Sequence, residues 1–121
     1  MKAEKVPLEH AEQCAVVKWF DANYPEHYGR LASSSGGARM RPATAKKEKA
    51  AGMRAGYPDL NLMIPRHGHS GLFIEMKRVK GSTLSKEQAD WLAWLNDQGF
   101  MAVVCKGSDA AIETIRSYLA A

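Results

Sequence analysis

Two short apolar segments with alternating side chains, joined by a turn-like linker, restrict the fold of this chain more than any other feature. Residues 59–64 read Asp-Leu-Asn-Leu-Met-Ile, and residues 71–78 read Gly-Leu-Phe-Ile-Glu-Met-Lys-Arg. The linker between them begins with Pro65 and contains His67-Gly68-His69. Period-two alternation on either side of a Gly- and Pro-containing linker is typical of a β-hairpin. We therefore predict two antiparallel strands over residues 59–64 and 71–78.

The apolar side chains of this hairpin also predict its register. Successive strand residues point to opposite faces, so a shift of one residue would exchange the apolar and polar faces. Pairing of the apolar faces sets Leu62 opposite Leu72 and centres the turn on His67. The same pairing brings Asp59 opposite Glu75 on the other face, at one end of the sheet.

Two carboxylates and a lysine should therefore meet at this end of the sheet, because Lys77 lies two residues beyond Glu75 on the same face. Adjacent carboxylates repel each other unless a cation binds between them, and an oxygen-only site suits a hard ion such as Mg²⁺. Such a metal would lower the pKa of a water molecule, and Lys77 could orient that water or stabilise charge on a phosphoryl oxygen. The alternative is a surface salt bridge between strands, which contributes little.

The remaining periodicities predict helices and strands around the hairpin. We predict helices over about residues 7–22, 44–51, 85–98 and from 108 onwards, and strands over about residues 30–33 and 100–106. The strand at residues 100–106 is apolar enough to be central in a sheet. This order of elements, in a chain of 121 residues, predicts a single α/β domain over residues 1–121, with a mixed central β-sheet flanked by helices.

Two further polar residues fall at ambiguous helical positions. Glu12 lies on the predicted apolar stripe of the first helix, which contains Leu8, Ala11, Ala15, Val16, Trp19 and Phe20. A lone buried carboxylate is costly, so Glu12 reaches either the edge of the stripe or a metal or base such as Lys77. Gln88 forms a capping box with Ser85, although its first-turn position could equally face the active end of the sheet.

Positive charge is concentrated between residues 30 and 54. This segment contains seven basic residues and one acid, a local charge of +6, whereas the formal net charge of the whole chain is +4. Small, flexible residues mixed with bases suit close approach to a polyanion, so we predict phosphate binding here. The alternative is a solvated loop and a charged helix face. The predicted DNA-binding residues are Arg39, Arg41, Lys46, Lys47 and Lys49.

Several function classes are disfavoured by composition. No apolar run approaches the ~18 residues of a membrane span, and the N-terminus lacks the apolar core of a signal peptide, so we expect an intracellular protein that does not enter a membrane. Cys14 and Cys105 lie far apart within apolar patterns, as unpaired thiols in a reducing compartment would. His67 and His69 alone are too few ligands for a zinc site.

The order of the acidic and basic residues resembles a known nuclease signature. Pro58-Asp59 followed by Glu75-Met76-Lys77 resembles the PD-(D/E)xK motif. The surrounding residues narrow the resemblance to the VRR-NUC domain, over nearly the whole chain. They are Gly56-Tyr57-Pro58-Asp59-Leu60, Glu75-Met76-Lys77-Arg78, Leu84-Ser85-Lys86-Glu87-Gln88-Ala89-Asp90-Trp91-Leu92, and Gly99-Phe100 before the last apolar strand.

The resemblance implies a restriction-endonuclease-like core and a metal-dependent endonuclease that hydrolyses phosphodiester bonds of DNA. It implies that Mg²⁺ or Mn²⁺ is bound by Asp59, Glu75 and the backbone carbonyl of Met76. The catalytic residues that it implies are Glu12, Asp59, Glu75, Lys77 and Gln88. A non-catalytic DNA-binding module on the same fold and an RNA-directed nuclease are the alternatives, because backbone hydrolysis does not itself read the 2′-hydroxyl.

Stand-alone members of the family are phage or bacterial proteins that resemble Holliday-junction resolvases. The resemblance therefore implies a cytoplasmic homodimer that acts on branched DNA such as four-way junctions. A C₂ dimer supplies two cleavage sites with the symmetry of two strands in a junction. Part of Trp91, of Trp94 or of the Trp19-Phe20 edge is a candidate for the subunit contact, with core packing as the alternative.

Overall fold

The helices and strands follow the predicted order, with boundaries that differ by a few residues. A computed structural model describes residues 6–34 and 42–121, and its description of side chains in the second helix begins at residue 44. In chain order the elements are α1 (Glu9–Asn23), β1 (Leu31–Ser33), α2 (Pro42–Ala50), β2 (Leu60–Leu62), β3 (Leu72–Lys77), α3 (Lys86–Asp97), β4 (Met101–Lys106) and α4 (Ser108–Leu119), with a short 3₁₀ turn at Pro25–His27.

One mixed sheet with the order β1-β2-β3-β4 is present in the described part of the chain. The first two pairings are antiparallel, and β3 and β4 run parallel. Leu60 lies opposite Ile74 and Leu62 opposite Leu72, which confirms the predicted hairpin register. The turn contains a bridge between Arg66 and His69. The mixed sheet flanked by helices confirms the predicted fold class.

Both faces of β3 are covered, and all six of its residues are buried. On one face Ile74 and Met76 pack in a cluster with residues of α1 and α4, including Val16 and Ile115. On the other face Phe73 packs with Leu92 and Leu95 of α3 and with Ala102 and Phe100. Glu75 and Lys77 alternate with the core residues, so they lie on the α3 side of the sheet.

The prediction of a central position for the last strand was wrong, because β4 is an edge strand that pairs only with β3 among the described strands. Its apolar character reflects cover from the side. Asn96 of α3 donates hydrogen bonds to the carbonyls of Ala102 and Leu92, each at 2.9 Å, and accepts one from the Ala102 N–H at 2.9 Å. A side chain from α3 therefore satisfies backbone groups that an edge strand would otherwise expose.

The described helices also bear on membrane insertion. None of those within residues 6–34 and 42–121 has the length and apolar character needed to cross a bilayer.

Candidate active site

The Asp59 carboxylate lies immediately before β2 and is bonded to the neighbouring strand. Backbone pairing of β2 with β3 spans only Leu60 to Leu62. Asp59 extends the contact through its side chain, because its Oδ2 accepts a hydrogen bond from the Met76 N–H at 2.7 Å. This bond holds the carboxylate beside Glu75, the neighbour that the predicted register required.

Glu75 is an acid buried inside the sheet, with 2% of its surface exposed. Burial disfavours the charged form and is the main reason that the pKa of Glu75 is raised from 4.5 to about 9. A side-chain hydrogen bond with Asp59 and the negative charge of Asp59 raise the pKa further, Lys77 lowers it, and Glu9 adds a smaller increase. The carboxylate pair therefore retains a proton at neutral pH unless another cation takes its place.

This donor set fits a hard divalent cation such as Mg²⁺ or Mn²⁺. Within residues 6–34 and 42–121, no group of three or more His, Cys, Asp and Glu side chains is arranged to hold a metal by itself. Mg²⁺ is commonly bound by one or two carboxylates and completes its coordination with water and substrate phosphates. Asp59 and Glu75 supply such a pair, and the positive charge of an ion would replace the retained proton. Ligation by the Met76 carbonyl stays a prediction.

Lys77 is the third predicted member of the site and is also buried, with 7% of its surface exposed. Its positive charge opposes the increase in the pKa of Glu75, so the ammonium acts electrostatically on the carboxylate pair. Lys77 is not among the described residues that line the cavity in front of Asp59 and Glu75. The lysine therefore approaches Glu75 from within the sheet rather than from the cavity.

A cavity of about 340 Å³ lies in front of the carboxylate pair and contains both signs of charge. We call it the acidic cavity. Its charged and amide-bearing lining residues are Glu9, Lys49, Arg54, Asp59, Glu75 and Gln88. The acids can hold a cation, and the exposed Lys49 and Arg54 can contact anionic groups that approach it. A cavity of this kind suits a metal-bound phosphodiester, because each charge on such a ligand finds a partner of opposite sign.

Gln88 combines the two roles that the sequence left open. It forms the capping box with Ser85, in which its Oε1 accepts from the Ser85 N–H at 2.9 Å and its own N–H donates to Ser85 Oγ at 3.1 Å. Gln88 also lines the acidic cavity. Because the cap uses the amide oxygen, the Nε2 group remains a donor for a ligand.

Gly56 holds the loop before Asp59 against the first turn of α3. Its φ is +80°, and an added Cβ would lie 2.6 Å from the Gln88 nitrogen and 2.7 Å from the Glu87 oxygen. A side chain at this position would both strain the backbone and push the two segments apart. The close approach therefore sets the distance between Gln88 and the carboxylates.

The structure places Glu12 away from the acidic cavity and brings Glu9 into it. Glu12 is buried, and its Oε2 accepts a hydrogen bond from the backbone N–H of Ser108 at the start of α4. There the carboxylate satisfies a backbone donor that the helix leaves free and interacts favourably with the helix dipole. Glu9 lies almost one turn earlier and accepts a hydrogen bond from Ser82 Oγ at 3.3 Å.

Sequence reasoning missed Glu9 because the predicted stripe of α1 was rotated. Leu8, Ala11 and Ala15 belong to that stripe but are exposed, whereas the buried residues of α1 are Glu12, Val16 and Phe20. Small alanines do not determine which face of a helix packs against the core. The available signal was the pair of acids in the first turn, which allowed either one to face the sheet end.

The predicted phosphate-binding residues are only partly described. Lys46, Lys47 and Lys49 are exposed on α2, and Lys49 lines the acidic cavity. Arg39 and Arg41 lie outside the described residues. Positive charge therefore reaches the acidic cavity from the helix that carries these lysines.

Comparison with known proteins yields one family and one solved structure. A family model described as the VRR-NUC domain matches residues 3–109. A structure titled "VRR_NUC domain protein" is 30% identical in sequence and superposes with a TM-score of 0.83, covering 96% of this chain and 91% of that one. No curated protein is similar enough to count as a match. Asp59, Glu75, Lys77 and Gln88 all fall within the matched residues.

Proposed function

Because the chain belongs to the VRR-NUC domain family, a nuclease-type family, we propose that it is a metal-dependent endonuclease that hydrolyses phosphodiester bonds in DNA. The observation that carries the proposal is the buried pair Asp59 and Glu75 beside Lys77. A buried pair of carboxylates is destabilising for a structural role, because both charges lose solvation and repel each other. Binding of a divalent cation gives such a pair a function and removes the repulsion.

In this proposal Asp59 and Glu75 hold Mg²⁺ or Mn²⁺, with the Met76 carbonyl as an additional ligand. The ion supplies an acidified water and withdraws charge from the phosphoryl oxygens. Lys77 stabilises negative charge that develops as the water oxygen bonds to phosphorus and the bond to the leaving sugar oxygen breaks. The leaving oxygen takes up a proton from solvent or from a water in the cavity.

Glu9 and Gln88 orient the reacting groups in this scheme. Glu9, which takes the place expected for Glu12, contributes a third carboxylate that can accept a hydrogen bond from a metal-bound water. The Nε2 group of Gln88 can donate to a phosphate oxygen or to the sugar. Both positions follow from the lining of the acidic cavity.

A cleavage assay with matched variants tests this function. The protein is incubated with linear, flapped, four-way and single-stranded DNA, and with RNA, in the presence of Mg²⁺, Mn²⁺ or EDTA. Glu75→Gln should abolish cleavage, whereas Glu113→Gln, an equivalent charge change on the exposed surface of α4, should leave it intact. Cleavage in EDTA, or an active Glu75→Gln protein, would contradict the metal mechanism. Binding without cleavage under every condition would favour the non-catalytic module, and cleavage of RNA alone would favour the RNA-directed nuclease.

We further propose that the protein is a homodimer that prefers branched DNA. Trp94 supports a subunit contact, because 54% of its surface is exposed and it forms an apolar patch with Trp91 on α3. Phe20 does not support one, because it is fully buried in the core. Light scattering and cleavage of a four-way junction test this proposal. A monomer at micromolar concentration that cuts linear duplex as readily as a junction would refute it and leave the proposed chemistry intact.

A further inference from the structure

A second cavity lies next to the acidic cavity and has no role in the function proposed so far. It has a volume of about 300 Å³ and lies between the end of β1 and the end of α2. Its lining consists of Ser34, Glu48, residues 51–54 and Tyr57. Both cavities have volumes at the lower end of the roughly 300–1,000 Å³ that small-molecule sites occupy. Each is therefore large enough for a small polar group but not for a whole oligonucleotide.

The two cavities share a wall formed by Met53, Arg54 and Tyr57. Among the lining residues that the structure describes, Arg54 is the one charged residue common to both. Its side chain is exposed, so the guanidinium is available to a ligand. An arginine at the junction of two cavities can bind one anionic group that lies between the contents of both.

The wall that carries Arg54 is held in place by aromatic contacts. The Tyr57 ring makes edge-to-face contacts with Trp91, at 5.0 Å between centroids, and with Phe73, at 6.1 Å. The Tyr57 N–H is also 3.4 Å from the Arg54 carbonyl oxygen. The segment from Arg54 to Asp59 is therefore anchored at Tyr57, and a ligand held by Arg54 has a defined position relative to the carboxylates.

We propose that the second cavity binds the nucleotide next to the cleaved phosphodiester, and that Arg54 binds the backbone phosphate adjacent to the one that is cleaved. The inference rests on the proposed function, which puts the cleaved phosphodiester in the acidic cavity. The chain must then leave that cavity along its lining, and the shared wall is a route into a space of suitable size. Glu48 also lines the second cavity and repels phosphate, which leaves Arg54 as the favourable phosphate position there.

The test combines variants of Arg54 with substrates that lack one phosphate charge. Wild-type protein, Arg54→Gln and Arg54→Lys are compared on an oligonucleotide cleaved at a mapped position, and on versions in which one phosphate at a time is a neutral methylphosphonate. Arg116→Gln is the matched control, because Arg116 is exposed on α4 on the opposite face of the sheet, where its guanidinium stacks on Trp19 at 5.4 Å. Thermal melts of all proteins verify that the fold is retained.

Arg54→Gln should lower kcat/KM by roughly 10- to 100-fold, the range expected when one charge-assisted hydrogen bond is removed. Arg54→Lys should retain part of the activity, because it keeps the charge but not the planar fork. At one position adjacent to the cleavage site, the methylphosphonate should impair the wild-type protein and have no further effect on Arg54→Gln. Arg116→Gln should show the wild-type response at every position.

Two outcomes would overturn the inference: an Arg54→Gln protein that behaves like Arg116→Gln, or methylphosphonate effects that are the same in wild type and Arg54→Gln at every position. The same set of oligonucleotides is also titrated in binding assays with Ca²⁺ in place of Mg²⁺. Absence of any cleavage by the wild-type protein would refute the proposed nuclease function, while the binding comparison would still decide whether Arg54 contacts one specific phosphate.

Discussion

Replacement of Glu75 by glutamine should stabilise the metal-free protein at neutral and alkaline pH. The pKa of Glu75 is about 9 in the folded chain, against 4.5 when the side chain is exposed to water. Below pH 4.5 the side chain is protonated in both states, and its contribution to stability is fully present. As the pH rises from 4.5 to about 9, the unfolded chain loses the proton and the folded chain retains it, so the free energy of unfolding falls.

The size of this loss follows from the raised pKa. Each pH unit within the window costs about 1.4 kcal/mol, so the loss at pH 7.5 has an upper limit of about 4 kcal/mol. Asp59 shares the retained proton, and we expect about half of this limit to belong to Glu75 alone. Glutamine has nearly the same shape and no charge to lose. Glu75→Gln should therefore raise the melting temperature at pH 7.5 by about 8 °C or more, and by little at pH 4.5.

Thermal unfolding in EDTA between pH 4.5 and pH 9 measures this difference, with Glu113→Gln as the charge-matched control. A second series with Mg²⁺ should stabilise the wild-type protein and not Glu75→Gln, because only an ionised pair binds the ion. The reasoning would be refuted if Glu75→Gln were less stable than wild type at pH 7.5, or if the two proteins showed the same dependence on pH. The opposite sign would mean that the Glu75 carboxylate is stabilised as an anion in the folded protein.

Four further predictions concern separate parts of the site. Lys77→Met should lower cleavage by at least roughly 100-fold in kcat, yet retain the Mg²⁺-induced increase in melting temperature, and loss of both would indicate a structural lysine. Glu12→Gln should lower stability by about 1 kcal/mol with little loss of kcat, and Glu9→Gln should do the reverse, so equal behaviour in melts and kinetics would contradict the placement of the two acids. Gly56→Ala should lower both the melting temperature and kcat, since strain and a clash accompany any side chain there, and a wild-type melt would contradict it. Neutralising the described lysines of α2 should reduce the log-log salt slope of DNA binding by about one unit for each phosphate that they neutralise, whereas an unchanged slope would mark a solvated face; these lysines are Lys46, Lys47 and Lys49.

The hairpin and its carboxylate pair were predictable from sequence because they depend on local alternation. Only one register of residues 59–64 against residues 71–78 buries the apolar face, and that register fixes the neighbour of Asp59. The capping box of Gln88 was readable for the same reason, since a cap involves residues three positions apart.

Other features depend on contacts between distant segments, and the sequence does not specify those contacts locally. The orientation of α1 is set by its packing against α4 and the sheet, so the choice between Glu9 and Glu12 required the tertiary structure. The edge position of β4 depends on Asn96, whose role is invisible before α3 is placed beside the strand. The position of Arg54 at a wall shared by two cavities likewise follows only from the folded loop.

The mixture of charges in the acidic cavity has a thermodynamic consequence if the cavity binds a phosphodiester as proposed. Ionised Asp59 and Glu75 repel a phosphate, whereas Lys49 and Arg54 attract it, so without a cation the two effects oppose each other within one small space. A divalent ion removes the repulsion and adds a ligand for the phosphate oxygens. Metal and nucleic acid should then each increase the affinity of the other by the same factor, because the coupling between two bound ligands is reciprocal. The buried carboxylate pair thereby lowers the stability of the empty protein and makes productive binding of nucleic acid depend on the ion.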